Sequence, residues 1–305
     1  MRLIALAALL AASMPHGQAH AQADSLLPAS ADASAPVVQR TRLTVQVVGE
    51  GPDVILIPGL ASPRAVWDKT VDQLKGRYRL HIVQVRGFGD EAGANASGPV
   101  LAPLVDDLAG YIRDAGLNKP AVIGHSMGGL TAATIAARHP DLLGRVLIED
   151  SLPFIGLIFS PLATVDSVRS QADALLKAAL GAGQQPPNAA NPVLATMSAT
   201  DAGRAQVAAW SGTADYRVAA QLFHDVLLTD IRPELSRITV PVTVLYPHDA
   251  VVGPVAMVDA LYGNAYQGLA GVTLKRIDHS RHFITLDQPE AFAQAVEAFL
   301  QDYGG

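Results

Sequence analysis

The chain has 305 residues, 50% of them hydrophobic and 16% charged, enough for one large α/β domain with a substantial core. A formal net charge of -6 with no basic run excludes the usual nucleic-acid surface, and 5% aromatics offer no stacking platform for bases. There is no cysteine, hence no disulfide framework, thiolate nucleophile or thiolate metal site.

In chain order, Arg2 precedes an unbroken apolar run from Leu3 to Ala12, and small residues around Ala19-His20-Ala21 stand at the spacing a signal peptidase reads. This predicts a signal peptide over 1–21 and export to the periplasm or beyond. The run is too short to span a bilayer core of ~30 Å, so no stable membrane insertion is expected after processing. Residues 22–37, rich in Ala, Ser, Asp and Pro without a period, read as a mobile leader. Strands are predicted at Leu43–Val48, Val54–Ile57, Leu80–Val85, Ala121–Ile123, Arg145–Glu149, Val240–Tyr246 and Val272–Ile277. Helices are predicted at Ala65–Leu74, Leu101–Ala115, Ser126–Arg138 and around Phe292–Phe299. The alternation implies an α/β fold with a mostly parallel central sheet flanked by helices. It breaks from Leu152 to Leu235, where helical patches at Val165–Leu180 and Tyr216–Leu228 flank a Gly/Pro/Asn loop. A helical cap over 152–236 is expected, inserted into a core made of 38–151 and 237–305.

The segment "AVIGHSMGGLTAA" from Ala121 to Ala133 places G-x-S-x-G between a predicted strand and a predicted helix, the context in which that motif exposes a nucleophile. Gly124 and Gly128 keep Cβ atoms away where strand and helix crowd. Ser126 then stands at a helix N-terminus, where free N–H groups favour negative charge, and the N–H of Met127 is aimed at a developing oxyanion. A serine N-cap after a glycine turn is the plainer alternative.

A serine hydroxyl needs a base. Of nine histidines, His282 lies in "DHSRHFITLDQPEAF", after the last predicted strand and before the closing helix, where a loop returns over the carboxyl edge of the sheet. His279 is the fallback. His125, beside the serine, is expected to pack. The motif's chain order is serine, acid, histidine. Asp249 in "VTVLYPHDAVVGP" fits that order and opens a loop after a strand; Asp150 in "VLIEDSLP" also follows a strand and is its rival. Either could be an ordinary turn aspartate. A second oxyanion donor is expected at the N–H of Leu60 in "ILIPGLASP", which could also be a plain Pro-Gly turn.

With these segments in view the sequence resembles the α/β-hydrolase superfamily, in its branch with a cap inserted after the sixth strand, from about Val45 to the C-terminus. "IPGLASPRAVWD" resembles the oxyanion loop, with Pro58 where many members have histidine, and "VQVRGFGDE" resembles the Arg-Gly-x-Gly segment, with Gln84 where aspartate is usual. "VIGHSMGG" is similar to the elbow, "DIRPELSRITVPVTVLYPHD" to the segment ending at the acid, and "RHFITLDQPEAFAQAVEAFL" to the histidine loop and last helix. The resemblance implies a Ser126–His282–Asp249 triad with an oxyanion hole at Leu60 and Met127. A serine in the elbow disfavours the branches that use an aspartate nucleophile.

The reading is an exported serine esterase acting on a small to medium hydrophobic ester, its pocket lined in part by "SLPFIGLIFSP", with Phe154 and Phe159 as candidates. The same triad could serve an amide, a carbon–carbon bond, a perhydrolase or an interfacial lipase, and a non-catalytic binding protein could carry the same fold. His279 and His282 have a spacing some metal sites use, but no third ligand accompanies them. No metal and no cofactor are expected.

Overall fold

The computed structural model describes residues 35–301 and 303, apart from 187 and 189. The expected signal peptide and residues 22–34 of the leader lie outside that range.

The core is one sheet of eight strands: β1 (Val37–Gln39), β2 (Leu43–Val48), β3 (Asp53–Ile57), β4 (Arg79–Val85), β5 (Ala121–His125), β6 (Arg145–Glu149), β7 (Val242–His248) and β8 (Thr273–Asp278). Their order across the sheet is β1-β2-β4-β3-β5-β6-β7-β8. β1 and β2 run antiparallel to their neighbours, and β4, β3, β5, β6, β7 and β8 pair in parallel.

The inner strands are buried on both faces, which is why they read as continuous apolar runs rather than alternating ones. In β3, Ile55 and Ile57 join the core on one face of the sheet while Val54 and Leu56 join the core on the other. The covering helices are α1 (Asp68–Leu74), α2 (Leu101–Asp114), α3 (Met127–Arg138) and, further along the chain, α8 (Val255–Ala265), the short α9 (Ile284–Asp287) and α10 (Pro289–Leu300). α2 presents Leu101, Leu104, Val105, Leu108 and Ile112 to the core, an i, i+3, i+4, i+7 stripe.

Between β6 and β7 the chain forms α4 (Val165–Ala182), α5 (Leu194–Met197), α6 (Asp201–Thr213) and α7 (Tyr216–Leu227). Thr164 and Ser167 close a capping box on α4. Along α7, Val218, Leu222 and Val226 pack into the same apolar cluster as the sheet. The insertion therefore shares its core with the domain it interrupts.

Two expectations are corrected. The leader expected over 22–37 ends earlier, because Val37 opens β1 and pairs with Gln46. All three β1 residues are exposed, so no burial alternation marked them. The first predicted strand is therefore the second, and Arg145–Glu149 is the sixth. α5, α6 and α8 were not assigned from the sequence. α8 is apolar almost throughout, "VAMVDALYGNA", and shows little periodicity.

The strand order reverses at β3, since β4 lies on one side of it and β5 on the other. That is the point in an open α/β sheet where ligands bind, outside the carboxyl ends of the strands.

Candidate active site

Ser126 sits at φ 52°, ψ −118° between β5 and α3, a backbone conformation strained for any residue with a Cβ. Its N–H is fixed by the Glu149 carbonyl at 2.8 Å. The glycines on either side make the turn possible. A Cβ on Gly124 would collide with the Gly128 carbonyl, and one on Gly128 with the Ile57 carbonyl at the end of β3. The first helical hydrogen bond of α3 runs from the Leu130 N–H to the Ser126 carbonyl, so the N–H of Met127 stands ahead of the helical ladder.

Leu60 lies in a tight turn after β3, closed by a hydrogen bond from the Ser62 N–H to the Gly59 carbonyl, with Ala61 at φ 53°. Gly59 allows this loop to lie against the elbow, because a Cβ there would stand 2.5 Å from His125 Nδ1. Leu60, Ser126, Met127, Asp150 and His282 all line one cavity of about 460 Å³.

The structure pairs His282 with Asp150, not with Asp249. His282 Nδ1 donates to Asp150 Oδ2 at 2.6 Å. With Nδ1 turned to Asp150, Nε2 is the ring nitrogen left for another partner. Asp150 is the first residue after β6 and turns at φ 44°, and its other oxygen accepts from the buried Tyr262 hydroxyl. Tyr262 comes from α8, which was not assigned from the sequence, so this partner was invisible there.

Asp249 is fully occupied elsewhere. Its Oδ1 accepts from the N–H groups of Val251 and Val252, at 2.7 and 2.9 Å, and its Oδ2 pairs with Arg281 Nε at 2.5 Å. Burial works against ionisation, but the Val252 N–H, the Arg281 guanidinium and the Val251 N–H outweigh it and hold the carboxyl below its ordinary value. Its role as a loop former is the alternative that the sequence left open. The signal that could have exposed it is Arg281, a ready counter-ion one residue before the histidine.

The neighbouring histidines take structural places. His125 is buried, and its Nε2 donates to the His282 carbonyl at 3.1 Å. Burial, and then the nearby His282, push its pKa well down, so it remains neutral and supports the His282 loop. His279 is exposed at φ 58°, and its carbonyl accepts from Gln288. It does not line the cavity.

Behind the pair lies Glu149, fully buried at the end of β6. Its Oε1 accepts from the Thr285 N–H at 2.8 Å, and its Oε2 has no hydrogen-bond partner. Burial pushes this carboxyl up to about 8, so it is mostly a neutral acid at pH 7.

The cavity wall is apolar: Leu130, Leu152, Ile155, Leu157, Ile158 and Phe159 on one side, with Phe223 and Val226 from α7, and Val251, Val252, Met257 and Leu261 toward α8. Phe159 is where the sequence placed it, whereas Phe154 is buried beneath the Arg232 guanidinium and does not line the cavity. No lysine or arginine lines it among the described residues; its ionisable lining groups are Asp150, His282 and the Tyr262 phenol.

Comparison with known proteins gives a consistent neighbourhood. The model of the alpha/beta hydrolase family matches residues 54–295. The pimeloyl-[acyl-carrier protein] methyl ester esterase of Nitrosomonas europaea is 26% identical over 262 residues, 83% of this chain and 98% of that protein. The 2-(acetamidomethylene)succinate hydrolase of Mesorhizobium japonicum is 32% identical over 122 residues, 39% of this chain and 42% of that protein. Among solved structures, the enol-lactonase of Burkholderia xenovorans superposes with a TM-score of 0.67 at 24% identity, covering 88% of this chain and 100% of that one. A thermophilic esterase from Thermogutta terrifontis does so with a TM-score of 0.70 at 21% identity, covering 89% and 100%.

Proposed function

The chain belongs to the alpha/beta hydrolase family, and on that premise we propose that it is an exported serine hydrolase cleaving a small to medium hydrophobic carboxylic ester through an acyl-enzyme. The observation that carries the reading is the 2.6 Å contact between His282 Nδ1 and Asp150, in the same cavity as a serine held in a strained elbow.

In the reaction, Ser126 Oγ attacks the ester carbonyl while His282 Nε2 takes its proton. Asp150 keeps the imidazole in the tautomer that can accept and stabilises the imidazolium that forms. The N–H groups of Leu60 and Met127 bind the oxyanion of the tetrahedral intermediate. Collapse expels the alcohol, which receives the proton from His282, and water then repeats the cycle on the acyl-enzyme.

The apolar wall supports a hydrophobic substrate that fills the cavity by exclusion of water. The succinate named for one relative is not carried over, because no lysine or arginine lines the cavity among the described residues.

Nitrophenyl esters of increasing acyl length test the proposal. The wild-type protein should turn over and react with a fluorophosphonate, and Ser126→Ala should lose activity by about 10³-fold or more and escape labelling. Turnover that survives in Ser126→Ala refutes the assignment. Export is checked by intact mass: the secreted protein should lack residues 1–21, and a mass starting at Met1 defeats that part.

A further inference from the structure

The chemistry above leaves Asp249 and Arg281 without a part, yet each is only 15% exposed and the two are bound at 2.5 Å. Arg281 does more than neutralise Asp249. Its Nη1 donates to the carbonyls of Ala195 at 2.5 Å and Ser198 at 3.2 Å, in and just after α5. Its backbone N–H donates to Asp287 Oδ2 at 2.9 Å. Asp287 in turn accepts from the Ser198 hydroxyl at 2.5 Å and from the Ala199 N–H. The next residues continue the seam: the His282 N–H donates to the Thr196 carbonyl at 3.3 Å, and the Phe283 N–H to the Met197 carbonyl at 2.9 Å.

One side of this seam carries the base. The other carries Thr196 and Met197, which line the cavity. We propose that Arg281 is a positioning residue that locks the His282 loop to the α5 segment of the insertion, so that the base and this part of the substrate wall are held as one body. The inference rests on the serine-hydrolase reading. It also gives Asp249 a role: it holds Nε, leaving Nη1 to reach both carbonyls. A lysine keeps the charge, but its three donors sit on one rotating nitrogen, whereas Arg281 meets the carboxylate and the carbonyls from two fixed nitrogens, Nε and Nη1.

The test compares wild type with Arg281→Met, Arg281→Lys and Asp249→Asn, the last retaining an acceptor for the Val251 and Val252 N–H groups. kcat and KM are measured on short and long acyl esters, normalised to sites titrated with a fluorophosphonate. Amide hydrogen exchange is followed over residues 194–199 and 280–286. Arg281→Met should lower kcat per titrated site by roughly 10–100-fold, as a misplaced base does. It should also flatten the chain-length preference and raise exchange in both segments together. Arg281→Lys should recover part of the loss, and Asp249→Asn should move the same way by less than about tenfold.

Wild-type kcat per titrated site with an intact chain-length profile overturns the proposal, as does exchange that rises in one segment alone. If Arg281→Met does not fold, Arg281→Lys and Asp249→Asn decide by the same criteria. A wild-type protein that neither labels nor turns over defeats the esterase reading instead, and the exchange data then decide the coupling by themselves.

Discussion

Asp150 and Asp249 are each the first residue after a parallel strand, β6 and β7, so position alone gives them equal claim to the base. What separates them is which side-chain oxygens are already spent. Both oxygens of Asp249 are taken by Arg281 and two loop N–H groups, whereas Asp150 Oδ2 faces His282 Nδ1. Asp150→Asn should therefore lower kcat by about 10³–10⁴-fold by favouring the wrong tautomer, while Asp249→Asn costs less than about tenfold. Nitrophenyl ester kinetics on the two variants check this, and equal losses would mean that Asp249 matters to the reaction as much as Asp150. At this scale the elbow position of Ser126 and the loop position of His282 were legible because both are set locally. A strained strand-to-helix turn needs glycines in sequence, and His282 follows the last strand. The aspartate that faces His282 was not, because its place depends on side chains far away in the chain, Tyr262 for one aspartate and Arg281 for the other.

At the scale of elements, the elbow is a three-way junction of β5, α3 and the end of β3. Gly128→Ala would press a methyl group against the Ile57 and Pro58 carbonyls, backbone atoms that cannot yield without moving β3 or the turn that follows it. A loss of stability of at least about 1–3 kcal/mol is expected. It is read as a lower melting temperature, with activity falling further than stability because Leu60 is carried on the turn that must move. The buried end of β6 makes a second prediction. The Glu149 carboxyl sits at about 8 in the folded chain against an ordinary 4.5, so between those values the folded state holds a proton that the unfolded state has released. Its contribution is fully favourable to folding below about 4.5 and is lost as pH rises toward 8, with a slope of at most about 1.4 kcal/mol per pH unit. Glu149→Gln keeps an acceptor for the Thr285 N–H and removes the titration. Urea midpoints at pH 5, 6.5 and 8 should show the variant gaining on wild type as pH rises; a constant difference would mean that Glu149 ionises normally. Strands with continuous apolar runs were legible to within two residues, Arg145–Glu149 at both ends, whereas α1 starts at Asp68, three residues later than expected, because Arg64–Trp67 winds as a tighter 3-10 turn. β1 and α8 were not, the one because its three residues are exposed and the other because its apolar residues do not segregate to a face.

Across the whole molecule, the insertion and the sheet together enclose the cavity, and neither alone explains its chemistry. The segments that follow β5, β6 and β8 supply Ser126, Asp150 and His282. The residues between β6 and β7 supply apolar wall from Leu152 to Phe159 and again from Phe223 and Val226, and α8 closes the remainder with Met257 and Leu261. Such a wall can accept a neutral chain of matching length but cannot pay for a second charge. A carboxylate moved into it loses hydration without meeting a lysine or arginine among the described lining residues, and it comes beside the Asp150 carboxyl. The comparison that isolates this effect uses two nitrophenyl esters of equal chain length, one ending in a methyl group and one in a carboxylate. kcat/KM for the carboxylate should be lower by at least about 10²-fold, most of it in KM, because the penalty falls on binding before any bond is broken. Raising ionic strength should recover little, since a buried charge is poorly screened by salt. Substituting Leu261→Lys, at the α8 side of the cavity, should narrow the gap by favouring the carboxylate and penalising the methyl-ended ester. Equal kcat/KM for the two esters in the wild-type protein would mean that the far end of the acyl chain stays in water, and that the apolar wall grips only the part nearest Ser126.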